Sequence, residues 1–434
     1  MKLETIKSFV LVFLIGVSLL LTFGLWSYQP NLETVSSTPP EDEVSIGGGE
    51  QTEQDIIQPS SIIFHAGENH YGYKDPSDQQ NLYREMQSWT LEDFATDLAE
   101  DREREDYEVE MVFPDALPME LINSLFTFEG DGIEPPSWSF DRMYFTFLPQ
   151  QSSIEVEFLS VDGRQQATAL IHNPQSYDAL WEPMTTLEGL RELIAYEEGQ
   201  SRIYLPADSV TLRRYTSGVD QIEPHIMVNA LFSNPAAVNV QNATTGTRGE
   251  SYYSDGERGM NVYQFGASME YNNPSSENAM IAPIDLLDRS IQNINAHGGW
   301  TDNYRLMELE TNQNLIRYQM HYNGLPVFNS SNLATIEQQW GSNGLIRYRR
   351  PLINLSDYLD FEEAPIDLPS GYEVIEELES YDQDSLQAVT LGYQLNYLDE
   401  EQRSVVLEPK WYMNYGGNWT TVHFEDRTPM EGGN

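Results

Sequence analysis

The chain opens with MKLETIKSFVLVFLIGVSLLLTFGLWSYQP, and the stretch from Ser8 to Trp26 carries no charge. About nineteen uncharged, mostly apolar residues are enough for one helix to cross a bilayer. A cleavable export signal would have a shorter apolar core, then small residues at the cut. Here the exit reads Phe23-Gly24-Leu25-Trp26-Ser27-Tyr28, bulky where a signal peptidase requires small side chains. The expectation is a retained transmembrane helix over 8–28, with Trp26 and Tyr28 as interfacial aromatics.

Charge sets the orientation. Lys2 and Lys7 lie in a short leader, 1–7, while Gln29 to Tyr73 holds eight acidic residues and neither Lys nor Arg. Basic flanks stay in the cytoplasm. The reading is a single-pass cell-membrane protein, anchored at its interfaces by Lys2, Lys7, Trp26 and Tyr28, whose bulk is extracytoplasmic.

That bulk is strongly acidic: 69 Asp and Glu against 23 Lys and Arg, a formal net charge of -46. Nucleic acid is excluded as a partner, because phosphate binding needs basic patches. Anionic head groups repel the body for the same reason. The lysines are Lys2, Lys7, Lys74 and Lys410, so arginine supplies most of the positive charge. This bias suits an exported protein in salty or alkaline surroundings, and equally fits compositional drift. The absence of cysteine removes disulfides, thiolate catalysis, thiolate metal sites and a lipoprotein anchor.

Residues 29–58 are rich in Ser, Pro, Gly and acids, with Pro39-Pro40 and Gly47-Gly48-Gly49, and read as a flexible acidic linker. Order resumes at IIQPSSIIFHAGENHYG, with a strand at Ile62, Ile63 and Phe64. Leu82, Met86 and Trp89 have helical spacing, and Thr90 reads as an N-cap opening a turn with Leu91, Phe94 and Leu98. PMELINSLF reads as a short helix. SIEVEFLSV and RQQATALI flank Asp162-Gly163 as a hairpin, and Asp255-Gly256 signals another. Helices are expected in DQIEPHIMVNALF, in PIDLLDRSIQNINAHGG, stopped by Gly298-Gly299, and in YEVIEELES. The last third reads as a loose repeat of one helix followed by three or four antiparallel strands. The expected class is α+β: a transmembrane helix, then a multi-domain body of mainly antiparallel sheets with flanking helices. The expected domains are 60–205, 206–300 and 301–434.

No catalytic pattern emerges. His65 and His70 lack the H-E-x-x-H spacing of a zinc helix, and read as a surface histidine plus a capping or core-edge one. There is no G-x-S-x-G elbow, phosphate loop, dinucleotide fingerprint or calcium loop. Glu155 and Glu157 are the wet face of a strand, and Tyr252-Tyr253 is cross-strand packing. No catalytic residue, cofactor or metal is assigned. An extracytoplasmic module binding a wall polymer or peptide, or a wall hydrolase with a non-standard carboxylate site, are the alternatives to a regulatory role.

Four stretches in order carry a whole-chain resemblance: ETIKSFVLVFLIGVSLLLTFGLWSYQPNLE, DIIQPSSIIFHAGENHYG, YYSDGERGMNVYQFGASMEYNNP, and YQMHYNGLPVF with LEPKWYMNYGGNW. Together they resemble the YycH family, accessory membrane proteins of the WalK sensor kinase system in low-GC Gram-positive bacteria. The resemblance implies one transmembrane helix and three external domains, the later ones similar to the partner protein YycI. It also implies a non-catalytic regulator that acts with YycI on the kinase, partly through membrane helices, and so adjusts cell-wall metabolism. Ser18 and Thr22, four apart, share a helix face of small residues that includes Gly16. With the resemblance, that face is the expected contact for helices of WalK or YycI.

Overall fold

The computed structural model describes residues 33–34, 45–99, 105–130, 133–197, 202–242, 250–263, 266–274, 279–398 and 403–424. The expected transmembrane helix, with Lys2, Lys7, Gly16, Ser18, Thr22, Trp26 and Tyr28, lies outside the described residues. Among the described residues no helix is long and apolar enough to cross a membrane. The body is a sheet-rich α+β structure.

After a two-residue strand β1 (Glu33–Thr34), one sheet contains β2 (Ser61–Ala66), β3 (Asn69–Tyr73), β4 (Thr90–Leu98), β5 (Tyr107–Pro118), β6 (Thr127–Phe128), β7 (Ser139–Leu148), β8 (Ser153–Ser160), β9 (Gln165–Ile171), β10 (Leu190–Tyr196) and β11 (Ile203–Pro206). Their order is β11-β10-β3-β2-β5-β7-β8-β9-β4-β6. Alternation drives this arrangement: Ile154, Val156 and Phe158 on β8 are buried while Glu155 and Glu157 between them stay half-buried, as a one-sided strand requires. The β8–β9 hairpin turns at Asp162-Gly163, where Gly163 adopts φ +68°.

Thr90 does not open a helix. It begins β4, paired with β9, and the register shifts between Glu92 and Ala95 where Asp93 takes φ +51°. This bulge puts Leu91 and Phe94, three apart, against the same core, which imitates helical spacing in the sequence. Leu98 is left 71% exposed.

The second sheet is organised by an insertion. β12 (Val210–Gln221) pairs antiparallel with β22 (Ile353–Leu368), from Val210 opposite Leu368 to Gln221 opposite Ile353. Everything from Ile222 to Leu352 is looped out between them, and its two ends are joined by Ile222 N–H donating to the Leu352 carbonyl at 2.8 Å. The insertion contains two like halves. A helix at Pro224–Leu231 precedes β13 (Asn239–Asn242), β14 (Ser251–Ser254), β15 (Gly259–Tyr263) and β16 (Ser268–Asn272). A helix at Pro283–Asn295 precedes β17 (Tyr304–Glu310), β18 (Leu315–Tyr322), β20 (Thr335–Gly341) and β21 (Gly344–Pro351), with the short β19 (Leu325–Phe328) after β18. The halves meet where β16 pairs with β21. β19 pairs in parallel with β23 (Leu386–Tyr397), which continues through β24 (Ser404–Tyr415) to β25 (Asn418–Thr421).

Hydrogen bonding changes sheet at the expected division near 206, between β11 and β12, but runs across the one expected at 300. β12 pairs with β22 and β24, and β16 with β21, so strands from both sides of residue 300 share one sheet. The helix-then-strands pattern expected at Pro283 and Gly371 is present, it occurs once more at Pro224, and the strands that follow all three helices lie in one hydrogen-bonded sheet.

The expected linker also needs correction. From Ser45 to Gln58 the chain is a packed strap. Ile46 N–H donates to His297 O at 3.0 Å, Gly48 N–H to Gly298 O at 2.9 Å, and Gly49 bridges Trp300. Gln51 and Asn295 exchange two hydrogen bonds of 3.0 and 2.9 Å. The helix α1 (Glu53–Ile56) then buries Ile56 and Ile57 against the one-turn helix Ile122–Leu125 and β17. Composition misled because Gly48 serves close approach rather than freedom, and three isoleucines suffice as anchors.

Candidate functional site

From β11 to β5 is four strand steps, roughly 19 Å in a flat sheet. Yet the Tyr204 hydroxyl on β11 donates to Glu110 Oε2 on β5 at 2.9 Å. Arg142 on β7 likewise donates to the carbonyl of Arg202 at 3.1 Å and to Glu110 Oε1. The sheet is rolled, and its inner surface is polar.

At the centre of the roll stand two imidazoles. The β2–β3 turn at Gly67, φ +63°, places His65 opposite His70 in register. Their Nδ1 atoms face each other at 2.8 Å, with the rings at 89°. His65 Nε2 meets Glu110 Oε2 at 3.0 Å. His65 and Glu108 are fully buried, and Glu110 and His70 nearly so. Burial would raise the Glu110 carboxyl, but the His65 hydrogen bond, the Arg142 charge and the Tyr204 bond outweigh it and bring it down to about 2. Burial and then the Glu110 charge push the Tyr204 phenol up.

Neither histidine is on the surface, contrary to the sequence reading. The missed signal is the spacing: residues five apart across Ala66-Gly67-Glu68-Asn69 face each other in a hairpin.

A second buried cluster locks the strap's docking turn. Arg350, fully buried on β21, donates to the carbonyls of Pro351 at 3.0 Å and Gly299 at 2.9 Å, and to the hydroxyls of Tyr348 and Thr301, both at 3.3 Å. His297 Nε2 lies 3.0 Å from the same Tyr348 hydroxyl. Burial, and next the Arg350 charge, push His297 down to about 3.

A third arrangement crosses five strands on the polar face of the inserted sheet. In register run Glu308, Arg317, Glu337, Arg349 and Glu270. Arg317 Nε binds Glu337 at 2.7 Å, Arg349 Nε binds Glu270 at 2.6 Å, and Arg317 also binds Glu308. Burial, then the neighbouring Glu310, raise Glu308 to about 7. At one corner of this face Tyr252 lies over Gly259, where a Cβ would sit 2.4 Å from its hydroxyl.

Chemically, most of these groups are spent on one another: Glu110, Glu270, Glu308 and Glu337 are each held by an arginine, and the buried Arg350 by carbonyls and hydroxyls. Among the described residues no group of three or more His, Asp or Glu is placed to hold a metal ion.

Against known families, residues 4–189 match the model described as YycH protein, N-terminal domain, and residues 200–428 match YycH protein, C-terminal domain. The chain belongs to the YycH family. One YycH-family relative, the two-component system WalR/WalK regulatory protein YycH of Bacillus subtilis (strain 168), is 22% identical over 464 residues, covering 100% of this chain and 99% of that protein. The crystal structure of YycH from Bacillus subtilis superposes with a TM-score of 0.72 at 18% identity, covering 87% of this chain and 99% of that chain. The fold of the body is thus the YycH fold.

Proposed function

We infer that this chain is a regulatory protein of a WalR/WalK-type two-component system, that it works without catalysis, and that it binds the sensor kinase WalK and YycI at the membrane. The observation that carries this is the end-to-end alignment with a regulatory protein of that system, 100% of this chain on 99% of the other. The body gives the reading independent support. The buried Glu110 and Arg350 are engaged in holding strands and the strap's docking turn together, the use expected of a scaffold whose surfaces rather than pockets do the work.

In this reading the helix over 8–28 anchors the chain with its N-terminus in the cytoplasm, and the face with Gly16, Ser18 and Thr22 meets helices of the partners. Control of the kinase adjusts cell-wall metabolism. The strap fits such a role, since it joins the segment nearest the membrane directly to the core of the inserted sheet.

The test is affinity purification of the full-length protein from detergent-solubilised membranes. Recovery of the kinase and YycI together is expected. Binding of purified wall polymer without either protein would favour an extracytoplasmic binding module, and release of soluble muropeptides would favour a hydrolase.

A further inference from the structure

Two facing Nδ1 atoms 2.8 Å apart hold one hydrogen between them. One ring donates and the other must accept through its lone pair. With the pair neutral, His65 directs Nε2–H to Glu110 and accepts from His70 at Nδ1. With one added proton, His65 donates from both nitrogens, to Glu110 and to His70. A second added proton leaves two N–H groups pointing at each other with no acceptor, and two cations in contact. The obstruction is geometric, so neighbouring charges cannot remove it.

The titratable and charged groups around the pair come from β5, β7, β10 and β11. Glu110 from β5 is shared with Arg142 from β7 and Tyr204 from β11. Arg202, beside β11, pairs with Glu197 at 2.8 Å. Arg191 from β10 turns to the Lys74 carbonyl at 2.8 Å. Glu108 stands opposite His65 across β2 and β5, and Tyr144 lies beside Arg142 on β7.

We propose that the His65–His70 pair is a proton-operated latch: while at most one imidazole is charged the two rings stay packed against Tyr204 and its bond to Glu110 keeps the sheet rolled, and when both are charged they part and release β11. The latch has a lever. β11 carries Leu205 and Pro206, against which Gly371 packs so tightly that a Cβ on it would lie 2.6 Å from the Pro206 carbonyl oxygen. On the adjoining β10, the Tyr196 hydroxyl donates to Gln383 at 2.5 Å. Opening the roll therefore loosens the joint between the first sheet and the unit built on β23 and β24. External acidity becomes a change in how the two parts of the body are held.

The test is hydrogen–deuterium exchange of the full-length protein in detergent micelles at pH 7.5 and 5.0, with rates corrected for intrinsic chemistry. Peptides covering 61–73 and 203–206 should exchange at least tenfold faster at pH 5.0, while β23 and β24 stay protected. His70→Gln, which offers a hydrogen bond but takes no proton, should abolish that gain, and His225→Gln, at an exposed histidine, should keep it. A wild type with no local gain overturns the latch, whether or not the variant folds. So does a full gain in His70→Gln. Protection of the same peptides at pH 7.5 by equimolar zinc, lost in His70→Gln, would also overturn it and make the pair a metal site.

Discussion

Gly48 lies so close to Trp300 that a Cβ on it would come within 2.4 Å of the Trp300 carbonyl carbon, whereas Gly49 beside it has nothing within 4 Å. The strap is therefore clamped at one glycine and open at the next. Gly48→Val should cost about 1–3 kcal/mol, the usual range for overpacking. Gly49→Val should be near neutral. Thermal unfolding, with limited proteolysis between 45 and 58, separates the two. Equal effects would refute the clamp.

His297 makes the body acid-sensitive. Its pKa, about 3 when folded, lies below the ordinary histidine value of about 6.5. The unfolded chain thus takes up the proton first, and stability present above pH 6.5 is lost as pH falls towards 3. The slope is about 1.4 kcal/mol per pH unit, or roughly 2 kcal/mol by pH 5. Urea unfolding at pH 7.5 and 5.0 should show His297→Gln losing less on acidification than the wild type. An unchanged difference would be the contrary result.

Glu308 acts in the opposite sense. Its folded pKa, about 7, is raised above the ordinary carboxylate value by burial and then by Glu310. The folded state keeps a proton that the unfolded chain releases, so this contribution is present on the acid side and lost as pH rises to about 7. Removing the competitor with Glu310→Gln should leave Arg317 to Glu308, and should stabilise the protein at pH 8 more than at pH 5. Stabilisation that is equal at both values would count against the shared arginine.

For the proposed membrane contact, single changes should be nearly silent, because one interhelical hydrogen bond contributes about 0.6 to 2 kcal/mol. Ser18→Leu combined with Thr22→Leu adds bulk that blocks backbone approach while preserving insertion. Site-directed crosslinking to the kinase and to YycI, at matched expression, should fall severalfold. Unchanged crosslinking to both partners would reject this helix face.

Local chemistry was legible in the sequence. The glycine turns at Gly163 and Gly256, and the helix over Pro283–Asn295 with Gly298 in the left-handed region beyond it, stand where periodicity and glycine place them. What was hidden is non-local. Nothing within Val210–Gln221 says that its partner begins at Ile353, since pairing is chosen by shape after folding. The strap was hidden because glycine has two opposite uses, freedom and close contact, that share one letter. The Tyr204–Glu110 contact was hidden because the rolling of a sheet is a sum of strand twists, and it brings β11 to β5 with no signal in either strand.

The insertion between β12 and β22 also dictates when the chain can finish folding. β12 is synthesised long before either of its neighbours exists, and it must wait as an unpaired edge. Contacts between segments far apart in sequence are slow because the intervening loop must first be closed. Here the inserted unit closes it: once folded, its Ile222–Leu352 bond sets Gln221 beside Ile353. The last sheet can then zip from that point as a hairpin would, with a folded unit for its turn. Nascent chains ending near residue 352 should thus be cleaved by protease within 207–221 but resist cleavage across the inserted strands, and the completed chain should resist at both.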